Sequence, residues 1–217
     1  MMINRQKLFE DWAARYDRSL STPGAFPFDG YDDVLARVVA LAEPAKGMQV
    51  LDVGTGTGNL AARFAALGCE VLGIDFAAQM LSQAREKVPQ ARFEQVNVLE
   101  EEWPAATQRP FQRIVSTYVW HEFPLATKIR LLQRLATDHL QPGGWIVLGD
   151  IAFPTAQARA AARERWTARW DGDEFYWAAD EAQAAAAAAG LALSYEQVSS
   201  CGGVFVARLE RDLPRRH

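Results

Sequence analysis

The chain has 217 residues, 49% of them hydrophobic and 23% charged, which is ordinary for a globular protein. Its formal net charge of −4 provides no basic field for a nucleic-acid backbone, so we expect no nucleic-acid partner. Cys69 and Cys201 lack metal-type or disulfide spacing, and no apolar run reaches membrane-spanning length, so we expect a cytoplasmic protein without a membrane contact.

The first 47 residues are predicted to form two helices that precede the main part of the domain. Residues 4–20 carry an apolar stripe at helical spacing that includes Trp12 and Tyr16. A second helix is predicted from Val34 to Ala42, with Asp32 or Asp33 as its cap. We expect this segment, 1–47, to act as a helical lid over the core.

Strand and helix patterns alternate through residues 48–150. Strands are predicted at 48–53, 70–75, 92–97, 113–118 and 145–149, and helices at 60–67, 76–88 and 127–139. This alternation predicts a Rossmann-like, doubly wound α/β fold with a mostly parallel sheet and right-handed crossovers.

The remaining residues, 151–217, are predicted to add two helices and two strands. The helices are expected at 155–170 and over the alanine run that ends at Gly190, with Asp180 as the cap of the second. Strands at 191–198 and 204–209, joined at Gly202-Gly203, predict a C-terminal antiparallel hairpin. The hairpin completes a seven-stranded sheet in a single domain, 1–217.

Three glycines, Gly54, Gly56 and Gly58, follow the first predicted strand directly. Only glycine takes positive φ freely, and a side chain at this turn would block a ligand that crosses the end of the strand. Asp52, near the end of the strand, could order the turn or meet a cationic group. The dinucleotide fingerprint needs a small residue where Asn59 stands, which argues against NAD.

Two polar residues end the next two strands. Asp75 can accept hydrogen bonds from both hydroxyls of a ribose, or it can cap the helix that follows. Asn97, with the amide of Val98, can contact a purine, or it can serve as a turn residue. Phe76 and Met80 would then flank the purine.

Five segments together resemble class I S-adenosylmethionine-dependent methyltransferases. They are VLDVGTGTGNL, GCEVLGIDFAAQMLSQAREK, FEQVN, RIVSTYVWHEF and LQPGGWIVLGD, in family order over roughly residues 48 to 150. The Pro142-Gly143-Gly144 turn is typical of that family and has no place in NAD-binding Rossmann domains. The helix at 4–20 also resembles the W-A-x-x-Y-D opening of small bacterial members that act on small molecules.

The resemblance implies S-adenosyl-L-methionine as cofactor, S-adenosyl-L-homocysteine as product, and a role for each matching residue. The glycines would approach the methionine part, and Asp52 its sulfonium or ammonium end. Asp75 would hold the ribose. The remaining matches are Asn97 and Val98 at the adenine, Thr117 and Tyr118 between cofactor and acceptor, and Tyr16 closing the pocket.

Methyl transfer needs a general base only when the acceptor loses a proton. His121, just after the fourth strand, is the main candidate, with Glu122, Asp150 and Tyr16 as further ones; a structural role for His121 is the alternative. No Asn-Pro-Pro-Tyr-type tetrapeptide and no metal-ligand cluster occur in the sequence, so we expect a small-molecule acceptor and no metal. A non-catalytic S-adenosylmethionine-binding protein or an NAD-dependent oxidoreductase are the alternatives.

Overall fold

One mixed sheet organises the chain in the computed structural model, which describes residues 26–100 and 102–210. The helix predicted at 4–20, with Tyr16, lies outside these residues. The strands are β1 (Gln49–Val53), β2 (Glu70–Asp75), β3 (Arg92–Gln95), β4 (Phe111–Thr117), β5 (Leu140–Phe153), β6 (Trp177–Ala178), β7 (Leu191–Gln197) and β8 (Gly202–Leu209). The α-helices are α1 (Tyr31–Ala42), α2 (Asn59–Ala66), α3 (Ala78–Lys87), α4 (Leu125–Arg134), α5 (Ala156–Arg165) and α6 (Ala179–Ala188).

The strand order is β3-β2-β1-β4-β5-β8-β7. The first five strands pair in parallel, and β8 runs antiparallel to both β5 and β7. The seven-stranded, mostly parallel sheet with a C-terminal hairpin is therefore confirmed. The two-residue strand β6 adds a further pairing on β5 that was not predicted, because two residues show no periodicity.

The centre of the sheet is covered on both faces, as parallel sheets require. Val50, Leu51, Ile114 and Val115 of β1 and β4 are completely buried. Strand β1 pairs with β2 on one side and with β4 on the other. The direction in which successive strands are added to the sheet therefore changes at β1. A crevice at the carboxyl ends of β1 and β4 is where such folds bind ligands.

The Pro-Gly-Gly turn lies inside β5, which corrects the strand predicted from 145. Leu140 pairs with Phe111 and Trp145 with Arg113, so residues 141–144 bulge out between two paired stretches. Gly143 takes φ +76° in this bulge. The Pro-Gly-Gly sequence does interrupt the strand, but β5 pairs with β4 on both sides of the interruption.

Helix α1 packs on the sheet through Val34 and Val38, both completely buried. Its cap is Gly30, and the predicted caps Asp32 and Asp33 lie in its first turn, where carboxylates favour the helix dipole. Asp180, the other predicted cap, lies in the first turn of α6, whose N-cap is Ala178. Its carboxylate accepts the amide of Ala156 in α5 at 3.0 Å, and α5 is itself capped by the side chain of Thr155.

An aromatic cluster joins the segment before α1 to the region after α5. Phe26 stacks on Trp166 and Trp170 with ring centroids 4.8 and 5.6 Å apart, and Tyr176 meets Trp170 edge-on at 4.5 Å. Phe153 of β5 stacks on Trp170 at 6.1 Å. These rings pack on one another and fix the C-terminal region on the sheet. Over the ranges that the structure describes, no helix has the length and apolar character needed to cross a membrane.

Candidate active site

The glycine turn between β1 and α2 is left-handed at all three glycines, with φ +68° at Gly54, +54° at Gly56 and +83° at Gly58. A Cβ on Gly54 would lie 2.3 Å from Val119, and one on Gly58 would lie 3.2 Å from Ala84. A Cβ on Gly56 would meet nothing within 4 Å. Two glycines therefore permit close packing, while the third leaves open space beside the main chain.

Asp75 holds this turn from the end of β2. Its Oδ2 accepts the amide of Gly56 at 2.9 Å, and its Oδ1 accepts the amide of Ala77 at 2.9 Å. Burial raises the pKa of Asp75, and the amides of Ala77, Gly56 and Phe76 partly offset that rise. Asp75 does not cap α3, which was the alternative offered for it, because the N-cap of that helix is Ala77 and no side chain caps it. The carboxylate of Asp75 instead holds the amides of Gly56 and Ala77.

Asp52 is almost completely buried beneath the glycine turn. Its Oδ2 accepts the hydroxyl of Thr55 at 2.7 Å, whereas its Oδ1 accepts no hydrogen bond from the residues described. Burial raises the pKa of Asp52 to about 7; the Thr55 hydrogen bond lowers it, the charge of Asp75 raises it, and the nearby amide of Ala61 lowers it. A cationic group bound here would favour the ionised form.

The residues expected at the adenine lie beyond β3 and at the start of α3. Asn97 is exposed, and its Oδ1 accepts the amide of Leu99 at 3.1 Å, which is the turn role offered as its alternative. Val98 is half-buried and borders an apolar cavity that Val53 also lines. Met80 is buried and packs with Phe76 in a small cluster next to Asp75. The structure thus brings Phe76 and Met80 close to the ribose candidate.

Thr117 and Tyr118 end β4 at the same edge. Thr117 is half-buried opposite Gly149, and the amide of Tyr118 donates to the carbonyl of Gly149 at 2.9 Å. Tyr118 has φ +56°, an unfavourable conformation for a residue other than glycine, of the kind that concentrates at functional sites. Its ring stacks on Tyr31 at 5.0 Å, facing α1.

His121 lies in a single 3-10 turn, Trp120–Glu122, directly after β4. It is 7% exposed, and its Nδ1 lies 2.6 Å from Oδ1 of Asp150 on β5. Burial alone would lower the pKa of His121, but the charge of Asp150 and the hydrogen bond to it, with Glu174, raise it. Burial would likewise raise the pKa of Asp150, but His121 and Lys128 hold it below its usual range. Asp150, a further base candidate, is therefore placed as the acceptor for His121.

The other imidazole nitrogen faces two more carboxylates. Nε2 of His121 lies 3.9 Å from Oε1 of Glu122 and 3.9 Å from Oε1 of Glu174. The imidazole nitrogen and the two carboxylate oxygens lie within 4.8 Å of one another. Glu174 also hydrogen-bonds Tyr176. Glu174 was not predicted from the sequence, because it comes from an irregular segment before β6.

A buried lysine on α4 completes this polar group. Lys128 is 2% exposed, donates to the carbonyl of Phe175, and has its Nζ 4.0 Å from the ring centroid of Trp177. Burial lowers its pKa to about 7, against the opposing charge of Asp150. The sequence could have indicated that this lysine is buried, because Lys128 lies on the face of α4 that also carries Leu131 and Leu132.

Comparison with known proteins places the chain among methyltransferases. Residues 27–194 match the family model described as a methyltransferase domain. An uncharacterized methyltransferase of Oceanobacillus iheyensis is 33% identical over 70% of this chain and 69% of its own length, and one of Geobacillus kaustophilus is 36% identical over 75% and 74%. The solved DhpI-SAM-HEP complex has the same fold, with a TM-score of 0.72 at 17% identity over 94% of this chain and 95% of that one.

Proposed function

Because the chain belongs to the methyltransferase domain family that its motifs predicted, we propose that it transfers a methyl group from S-adenosyl-L-methionine to a small-molecule acceptor. The observation that carries the proposal is the glycine turn fixed on Asp75, with open space beside Gly56. When bound, S-adenosylmethionine supplies a methyl carbon on a sulfonium, which already has an excellent leaving group.

Several of the described residues support binding of this cofactor. The carboxylate of Asp75 lies beside the turn and is not fully buried, which supports a contact with the ribose hydroxyls, and the main chain at Gly56 can be approached closely. Asp52 offers a buried carboxylate oxygen for the cationic end. Contacts of the adenine with Asn97 and Val98, between Phe76 and Met80, complete the proposed set. Closure of the pocket by Tyr16 stays a prediction outside the described residues.

The main work of the protein is then alignment. Holding acceptor and methyl carbon in line supplies roughly 7–11 kcal/mol, because it replaces a bimolecular encounter by a fixed geometry. We assign Thr117 and Tyr118, at the end of β4, to the border between both molecules, and the positive φ of Tyr118 supports this assignment. Tyr118 and His121 are buried at this edge, which supports the exclusion of water from the reacting atoms.

His121 is the proposed general base for an acceptor that carries a proton. Its Nδ1 is engaged by Asp150, which leaves Nε2 to take a proton from a hydroxyl or an ammonium group. Glu122 and Glu174 surround Nε2 with negative charge. That charge favours a neutral or cationic acceptor over an anionic one.

Calorimetry with S-adenosylmethionine, S-adenosylhomocysteine and NAD⁺ tests the cofactor. We expect the first two to bind, and Asp75→Ala to weaken binding by about 1–3 kcal/mol through loss of charged hydrogen bonds. Asp33→Ala, an exposed carboxylate on α1, is the matched control and should leave affinity unchanged. NAD⁺ binding without S-adenosylmethionine binding would instead support an oxidoreductase.

Incubation of the chain with methyl-labelled S-adenosylmethionine and a small-metabolite extract tests the transfer. We expect one low-mass compound to take up the label. Binding of the cofactor without any labelled compound across broad extracts would support the non-catalytic binding protein instead.

A further inference from the structure

We propose that Asp150 is the positioning residue for His121, fixing its ring and its tautomer so that Nε2 is the nitrogen that exchanges a proton with the acceptor. This inference rests on the proposed function, because it assigns a role in the same site. Asp150 does not touch the acceptor in this account; it acts only through His121.

The carboxylate of Asp150 is held rigidly by its donors. It is completely buried, its Oδ1 accepts from Nδ1 of His121 at 2.6 Å and from the amide of Ile151 at 2.8 Å, and its Oδ2 accepts from Nε1 of Trp177 at 2.9 Å. Three donors from three different parts of the chain leave the carboxylate one orientation. An acceptor fixed in this way selects the imidazole tautomer that carries its proton on Nδ1.

Strand pairing places the two residues together. Thr117, the last residue of β4, pairs with Gly149 of β5, so Asp150 on β5 lies beside the segment that continues from β4 to His121. His121 is further fixed from the other side, because its carbonyl accepts the amide of Phe175 at 2.7 Å. The ring is therefore held at Nδ1 and at its own backbone, with Nε2 directed toward Glu122 and Glu174.

The charged groups around the imidazole determine how it titrates. Asp150 from β5, Glu122 from the same turn and Glu174 from the segment before β6 stabilise the imidazolium, whereas Lys128 from α4 opposes it. When the acceptor loses its proton to Nε2, the imidazolium that results lies against a carboxylate already in place. No rearrangement is needed to accommodate the new charge.

The test is an NMR titration of the imidazole ¹⁵N signals in the chain without ligand, which contains only three histidines. In the wild type we expect the neutral form of His121 to carry its proton on Nδ1, with a pKa above the ordinary value. Asp150→Asn should lower this pKa and disturb the tautomer, because an asparagine amide can donate to Nδ1. His139, whose Nδ1 faces the carbonyl of Thr107, should be unaffected and is the internal control.

Trp177→Phe is a second variant, in case Asp150→Asn does not fold. It removes one donor from Asp150 and leaves a more basic carboxylate, so the pKa of His121 should rise rather than fall. Opposite shifts in the two variants are the signature of coupling through Asp150. Unchanged titration of His121 in both would overturn the inference.

The pH profile of label transfer from S-adenosylmethionine into the metabolite extract is the second readout. Asp150→Asn should reduce the plateau by roughly 10²-fold or more, the range for general-base catalysis, and move the acidic limb to lower pH. An unchanged profile would overturn the positioning role. Coupled NMR shifts without transfer by the wild type would instead refute the proposed function and leave the Asp150–His121 coupling intact.

Discussion

Substitution of Gly56 by alanine separates the needs of folding from the needs of the ligand. Gly56 has φ +54°, so an alanine there adopts an unfavourable conformation that costs about 1–2 kcal/mol. The new Cβ meets no protein atom within 4 Å, so no packing cost is added. For a chain of this size, we expect the melting temperature to fall by roughly 2–8 °C, at about 2–4 °C per kcal/mol.

The same Cβ would occupy the space in which we place the cofactor. We therefore expect Gly56→Ala to weaken binding of S-adenosylhomocysteine at least about tenfold, or ~1.4 kcal/mol, measured by calorimetry on the folded variant. Gly143→Ala is the matched control, since Gly143 also has positive φ and open space around it but lies in the β5 bulge. It should lose similar stability and no affinity. Equal affinity of wild type and Gly56→Ala would refute the assignment of this space to the cofactor.

Two further predictions concern pH. The pKa of Asp52 is about 7 in the folded state against 3.8 ordinarily, so the folded chain holds the extra proton and stability falls between about pH 4 and pH 7. Asp52→Asn removes this loss of stability, which is at most about 4 kcal/mol. Urea unfolding at pH 5 and pH 8 should show that the stability of the variant, relative to wild type, is greater at pH 8 than at pH 5. The same difference at both pH values would contradict the burial argument. Lys128 has the opposite sign: its pKa is about 7 against 10.5, so the unfolded chain holds the extra proton and stability rises between about pH 7 and pH 10. Lys128→Met should lack this rise in urea unfolding at pH 7 and pH 10, and an identical slope in both proteins would show that Lys128 is not held in its buried position.

Local sequence patterns were sufficient to predict the part of the site formed by β1, the glycine turn, α2 and β2. β2 was predicted with its observed bounds, and β1 and α2 within one residue at each end, because a strand, a glycine turn and a helix each carry their own signal. The hydrogen bond from Gly56 to Asp75 follows from the pairing of β1 with β2. That corner of the site needed no long-range information.

The region around His121 depended on contacts that no local pattern shows. Its distance to Asp150 could have been inferred, because β4 and β5 were both predicted and parallel strands end at one edge. Glu174 could not, since it precedes a strand of two residues in a segment without periodicity. The cap at Asp180 was misassigned for a similar reason: its partner, Ala156, belongs to another helix.

The most direct test of the central claim is mass spectrometry of a small-metabolite extract incubated with trideuteromethyl-labelled S-adenosylmethionine and the wild-type chain. We predict one labelled low-mass product, formed together with an equal amount of S-adenosylhomocysteine, and a slower formation of it in Gly56→Ala but not in Gly143→Ala. Labelling no greater than in the extract without protein, from a chain shown to bind the cofactor, would contradict the account.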